Sequence, residues 1–161
     1  MQWDASNVEI LVYTYKEGLL AAVGHDLCLR ATRLRVELGA DDAIVCEVDA
    51  ASLRAHGVSA DDARKIEKNA ADDVLAARRF PTIEFRSTRV TRDGERARVE
   101  GTLTMHGATR PLAFDAAADG ESWRAEVRLD VRDFGIKPYS AMFGALKVRA
   151  DVTVKLRVPR A

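Results

Sequence analysis

The sequence predicts an all-β fold, an eight-stranded antiparallel barrel with one amphipathic helix between the third and fourth strands. Two long alternating runs and a single switch to helical spacing carry that expectation. Between residues 123 and 132, Trp123, Ala125, Val127, Leu129 and Val131 share one face, and Arg124, Glu126, Arg128, Asp130 and Arg132 share the other. Between residues 146 and 158, Leu146, Val148, Ala150, Val152, Val154, Leu156 and Val158 alternate with Lys147, Arg149, Asp151, Thr153, Lys155 and Arg157. Such a run would extend roughly 40 Å at about 3.3 Å per residue, well beyond an ordinary strand. A strand with one dry and one charged face belongs to an antiparallel sheet covered on one side, and two this long favour a sheet that rolls onto itself. The pattern points toward a container.

The elements follow in order. Residues 8–15 read as the first strand, with Val8, Ile10 and Val12 alternating with Glu9 and Tyr13. After a turn around Lys16-Glu17-Gly18, residues 27–38 form the second. There Leu27, Leu29 and Ala31 hold one parity and Leu34, Val36 and Leu38 the other, so a bulge is expected near Thr32. Gly39-Ala40-Asp41-Asp42 turns the chain into a third strand, where Ile44, Cys46, Val48 and Ala50 alternate with Val45, Glu47, Asp49 and Ala51. Periodicity then changes: Ser59 reads as an N-cap, Asp61 and Asp62 favour the first turn, and Ala63, Ile66, Ala70 and Val74 recur at helical spacing. Asn69 marks a point where this helix can break; Arg78 and Arg79 suit its C-terminal dipole, and Pro81 limits it. Residues 82–90, 97–105 and 110–118 complete the eight strands.

With 161 residues the chain suits one domain, taken as 1–161. Lys and Arg total 25, as do Asp and Glu, so no net field draws in nucleic acid or an anionic membrane from a distance. No stretch approaches the ~18 continuous apolar residues of a membrane span. The start Met1-Gln2-Trp3-Asp4 lacks a secretory leader pattern, which makes the cytoplasm the expected compartment. Cys28 and Cys46 are too far apart for a CxxC motif and read as small buried residues.

An eight-stranded barrel stands at a boundary, because its interior can be filled by its own side chains or hold one small ligand. The inner parities mix Cys46, Ala50, Gly101, Ala116, Ala118, Ala125 and Ala150 with Ile83, Phe85, Leu103, Phe114, Trp123, Val127 and Val148. That mixture fits either a packed taper or an elongated apolar cavity.

Three segments then carry a resemblance. Phe80-Pro81-Thr82-Ile83-Glu84-Phe85-Arg86-Ser87-Thr88, Gly101-Thr102-Leu103-Thr104-Met105-His106-Gly107-Ala108-Thr109 and Arg132-Asp133-Phe134-Gly135-Ile136 resemble, in order and spacing, motifs of the YceI-like family. The resemblance implies a lipocalin-like eight-stranded barrel with a helix near one end. It also implies that the interior binds a polyisoprenoid, an isoprenoid quinone or another amphiphilic lipid, and that a homodimer can form. The chain departs from the family pattern at Gly24-His25-Asp26-Leu27-Cys28 and in the segment Lys137 to Leu146.

On this reading Val12, Ile83, Phe85, Leu103, Phe114, Trp123, Val127, Leu129 and Val148 line the ligand site. Phe134, Tyr139, Met142 and Phe143 form a bulky apolar loop with Gly135, Pro138 and Gly144 as pivots, which serves either as a rim that closes over a lipid tail or as a plug in the barrel end. His25 beside Asp26 invites a hydrolytic or metal reading, yet neither HxxxH nor a nucleophile-elbow pattern is present, and His56 and His106 sit in turns. The expected protein is therefore a non-enzymatic carrier with no metal and no cofactor. Its alternatives are a dry-cored barrel acting as an interaction module and an enzyme using His25 and Asp26.

Overall fold

A computed structural model of the chain describes residues 1–17, 26–141 and 146–161. The β elements are β1 (Gln2–Asp4), β2 (Glu9–Thr14), β3 (Lys16–Glu17), β4 (Leu27–Ala31), β5 (Leu34–Leu38), β6 (Ile44–Asp49) and β7 (Leu53–His56), then β8 (Thr82–Asp93), β9 (Arg96–Met105), β10 (Ala108–Asp119) and β11 (Ser122–Asp130), and finally β12 (Ser140–Ala141), β13 (Leu146–Val148) and β14 (Asp151–Pro159). Helix α1 (Ala60–Asn69) runs into a π-helical turn at Ala70–Val74. The protein is mostly β, with one helix and a curled antiparallel sheet.

Among the described residues this sheet has eleven strands, in the order β1-β5-β6-β8-β9-β10-β11-β14-β2-β4-β7, not the eight expected. The three extra strands have local causes: the expected second strand, 27–38, is broken into β4 and β5, and β1 and β7 are strands that lie before the expected first strand and after the expected third. The carboxylate of Asp4 accepts from the backbone and hydroxyl of Ser6, and its carbonyl accepts from Val8, which separates β1 from β2. The Thr32 amide and hydroxyl both donate to the Ser52 carbonyl, at 3.0 and 2.7 Å, while the Ser52 hydroxyl donates to the Arg33 carbonyl at 3.3 Å. Ser52 is fully buried, so the bend at Thr32–Arg33 and the bend between β6 and β7 lock each other. Because β4 and β5 lie at opposite ends of the pairing order, this bent strand carries the chain across the seam of the curl.

A second correction concerns residues 146–158, which are not one strand. β14 pairs with β11 and β2, whereas β13 joins β12 and β3 in a separate three-stranded sheet. The break lies at Arg149, whose amide donates to the Tyr15 carbonyl at 2.7 Å. Its guanidinium binds Asp151 at 2.6 Å.

The helix begins as its sequence signals: the Ser59 hydroxyl accepts from the Asp62 amide at 3.2 Å. Bonding changes after Asn69, where Leu75 donates to the Ala70 carbonyl, five residues back, at 2.9 Å. Ala76 then takes a positive φ of 48°, which stops the helix before Arg78 and Arg79 reach its end. The switch points Val74 and Leu75 into the curl.

The β9–β10 hairpin closes on His106 (φ 55°) and Gly107 (φ 77°), the double positive φ of a type I′ turn. His106 packs against Phe80 with ring centroids 4.7 Å apart and planes tilted by 52°, and its Nδ1 lies 3.3 Å from the Phe134 carbonyl oxygen. A Cβ on Gly107 would come within 2.8 Å of the same Phe80 ring, so glycine is required here for space as well as for conformation.

Candidate functional site

Strand alternation fills the inside of the curl with apolar side chains. β9 contributes Ala97, Val99, Leu103 and Met105, β10 Leu112, Phe114 and Ala116, β11 Trp123 to Leu129 on alternate residues, and β14 Val152 to Val158 likewise. These do not meet in the middle. They enclose a cavity of ≈ 340 Å³, within the usual range for small-molecule sites of roughly 300–1,000 Å³.

The room comes from pairing. Ala116 on β10 lies opposite Ala97 on β9 and opposite Ala125 on β11, so three methyl groups stand side by side where larger residues would close the space. Phe85 leans across Gly101 and meets Phe114 with centroids 5.7 Å apart, forming one wall.

The two ends of the cavity differ. Toward the helix, Val74 and Leu75 reach the wall beside Phe85, Leu103 and Met105. Behind them Ala77, Phe134 and Ile136 are buried in the same core cluster. At the other end the wall is made by Trp3, Arg92, Trp123 and Arg124. Two guanidinium groups approach the Trp123 ring, Arg160 at 5.3 Å and Arg92 at 5.8 Å from its centroid. Each nearby arginine also binds a carboxylate: Arg92 to Asp42 at 3.0 Å, Arg124 to Asp119 at 2.6 Å and Arg160 to Glu95 at 3.2 Å.

Of the expected site residues, Val12, Ile83, Phe85, Leu103, Phe114, Trp123, Val127 and Leu129 are brought together on this wall. Phe134 is only 4% exposed but sits behind the wall, against Met105 and Ile136, as part of the plug at the helix end. Tyr139 and Val148 are not on the wall. Val148 belongs to the small sheet, and its amide donates to the Tyr139 carbonyl at 3.0 Å. Met142, Phe143 and His25 lie outside the described residues. The Asp26 carboxylate accepts the amide of Lys16 on β3 at 3.0 Å.

Sequence reasoning missed Trp3, Val74, Leu75, Arg92 and Arg124. Trp3 precedes the first recognisable alternation, and Leu75 falls one residue after a helical pattern whose phase the π turn alters. The arginines carried a visible signal only as outward charges.

Inside the cavity the thiol of Cys46 is one of few polar groups, and burial, with a smaller contribution from Glu47, pushes its pKa up to about 12. At pH 8 the reactive thiolate is then on the order of 10⁻⁴ of the population. Iodoacetamide at pH 8 should leave Cys46 unmodified in the folded protein and alkylate it in denaturant, as read by peptide mass mapping. Rapid modification in the folded state would contradict this placement.

Among the described residues no three His, Cys, Asp or Glu side chains gather in a way that could hold a metal ion, and no helix is long and apolar enough to cross a membrane.

The chain is 36% identical over 97 residues to a UPF0312 protein of Pseudomonas putida (strain GB-1), covering 53% of this chain and 50% of that one. To Protein YceI of Escherichia coli O157:H7 it is 31% identical over 75 residues, 40% of this chain and 39% of that one. It thus spans about half the length, or less, of these relatives. Among solved structures it is similar to Burkholderia cenocepacia BcnA, with a TM-score of 0.69 at 14% identity over 96% of both chains. It is also similar to a polyisoprenoid binding domain from Saccharophagus degradans, with a TM-score of 0.63 at 11% identity over 93% of this chain and 91% of that one. At such identities the likeness speaks for the fold. The profile of the YceI-like domain, however, matches residues 29–159, from within β4 to the end of β14, and by that match the chain belongs to the YceI-like family.

Proposed function

We propose that this protein is a non-enzymatic carrier that holds the apolar chain of a polyisoprenoid, an isoprenoid quinone or a similar amphiphilic lipid inside its curled sheet. One observation carries the reading: a continuous apolar cavity of ≈ 340 Å³ runs from Leu75 to Trp123 between walls that offer almost no hydrogen-bonding groups. Such a wall does little chemistry and much desolvation, since burying hydrocarbon is favourable by about 0.8 kcal/mol per CH₂. A tail of a few isoprene units would gain several kcal/mol on that scale with no polar contact at all. Val12, Ile83, Phe85, Leu103, Phe114, Trp123, Val127 and Leu129 would touch it. The description of the Saccharophagus domain as polyisoprenoid binding supports the same class of ligand. A module acting only through its outer surface would call for a filled interior, and this interior is not filled.

Mass spectrometry of an organic extract of the detergent-free protein, with native mass spectrometry of the intact species, tests the proposal. A stoichiometric polyprenyl or quinone species is the expected result. A protein that is empty as purified and stays empty after incubation with such lipids would overturn it.

A further inference from the structure

An amphiphile has a polar end, and the two ends of the cavity offer it different surroundings. Toward the helix, Leu75, Ala77, Met105, Phe134 and Ile136 are all at most 9% exposed, so among the described residues that end presents packed hydrocarbon. A polar group left there would lose its hydrogen bonds to water and find no partners in exchange. At the far end, Arg92, Arg124 and Arg160 stand in solvent around Trp123, with guanidinium and indole N–H donors at hand.

The charges at this rim decide what it accepts. Three guanidinium groups face three carboxylates, Asp42, Asp119 and Glu95, each within 3.2 Å of its partner, so the six groups sum to zero. A phosphate arriving at the rim finds no net attraction and meets three carboxylates at close range. An uncharged oxygen needs only an N–H donor, and each arginine keeps several after binding one carboxylate.

Resting on the carrier reading, we propose that the Arg92–Trp123–Arg160 rim is where the ligand's polar end sits, and that it selects an uncharged, oxygen-bearing head over a phosphorylated one. Asp42 and Asp119 set that selectivity by neutralising Arg92 and Arg124.

Both tryptophans of the chain, Trp3 and Trp123, line this end of the cavity, so their emission reports on what arrives there. The experiment titrates the whole protein with geranylgeraniol and with geranylgeranyl diphosphate, following tryptophan fluorescence. It then repeats both titrations with D42N/D119N. Asp42 takes φ 64°, a conformation asparagine tolerates well, and Asp119 is exposed, so this variant keeps the fold. The alcohol should bind the parent at least about tenfold more tightly than the diphosphate. In D42N/D119N the diphosphate should gain about tenfold and the alcohol change less than twofold. A parent that prefers the diphosphate, or a variant with the parent's ratio, would overturn the assignment of the head to this rim while leaving the carrier reading in place. Binding of neither probe would overturn both.

Discussion

Gly101→Ala should destabilise the protein by about 3 kcal/mol or more, among the largest effects expected of any single methyl group in the chain. A Cβ at this position would lie 2.2 Å from the Arg86 carbonyl oxygen and 2.7 Å from Cζ of Phe85. Neither can withdraw cheaply. Arg86 is held in register between Val45 and Thr102, next to the bulge at Ser87/Arg89, and Phe85 is buried against the core that seals the helix end. Extra volume in such a site is relieved only by moving backbone. Gly94→Ala is the matched control, because its Cβ meets nothing within 4 Å and its φ of 59° alone is at stake, a cost of about 1 kcal/mol. Urea unfolding of both variants checks the pair. A Gly101→Ala protein as stable as the Gly94→Ala protein would show that β8 and β9 are not so closely apposed.

Filling the cavity should have the second large effect, on loading rather than on folding. Ala116 and Ala125 face each other across β10 and β11, and both point into the empty volume. A phenylalanine at either site places its ring where the ligand's chain would lie. Ala125→Phe is expected to lower lipid loading at least about tenfold, with the unfolding midpoint unchanged or raised, since filling a void commonly stabilises. Ala116→Phe, approached from the neighbouring strand, should do the same. Quantified extracts and denaturation curves of the two variants decide the matter. Undiminished loading in a folded variant would remove this cavity as the binding site, and loss of folding in both would mean that the alanines are needed for packing.

These expectations rest on features that were unequally legible in the sequence. Alternation assigned the inward faces of β9, β10, β11 and β14 correctly, because a period of two in a sheet wetted on one side leaves no other solution. The parity slip at Thr32 appeared where expected, and the helix changed its bonding next to Asn69. The same alternation misled at Arg149, where Val148 keeps the parity of Val152 while the chain has already moved to another sheet. Alternation records which side of a strand is dry and carries no information about which strand lies beside it. Likewise the sequence leaves Phe134 open between a rim and a plug, and the turn at Val131–Phe134 decides for the plug by burying it in the core.

The sequence by itself therefore determined the all-β class, the sided strands, the helix start and, through three short motifs, the family. Tertiary structure decided whether the interior is full or hollow. That outcome depends on a difference of volumes between residues far apart in the chain: Ala97, Ala116 and Ala125 leave space only because pairing sets them side by side, and Leu75 seals one end only because a π turn aims it inward. The arginine rim has the same origin. Arg92, Arg124 and Arg160 are ordinary surface charges in one dimension and become a neutralised group around Trp123 when the curl brings three turns and the segment after β14 together.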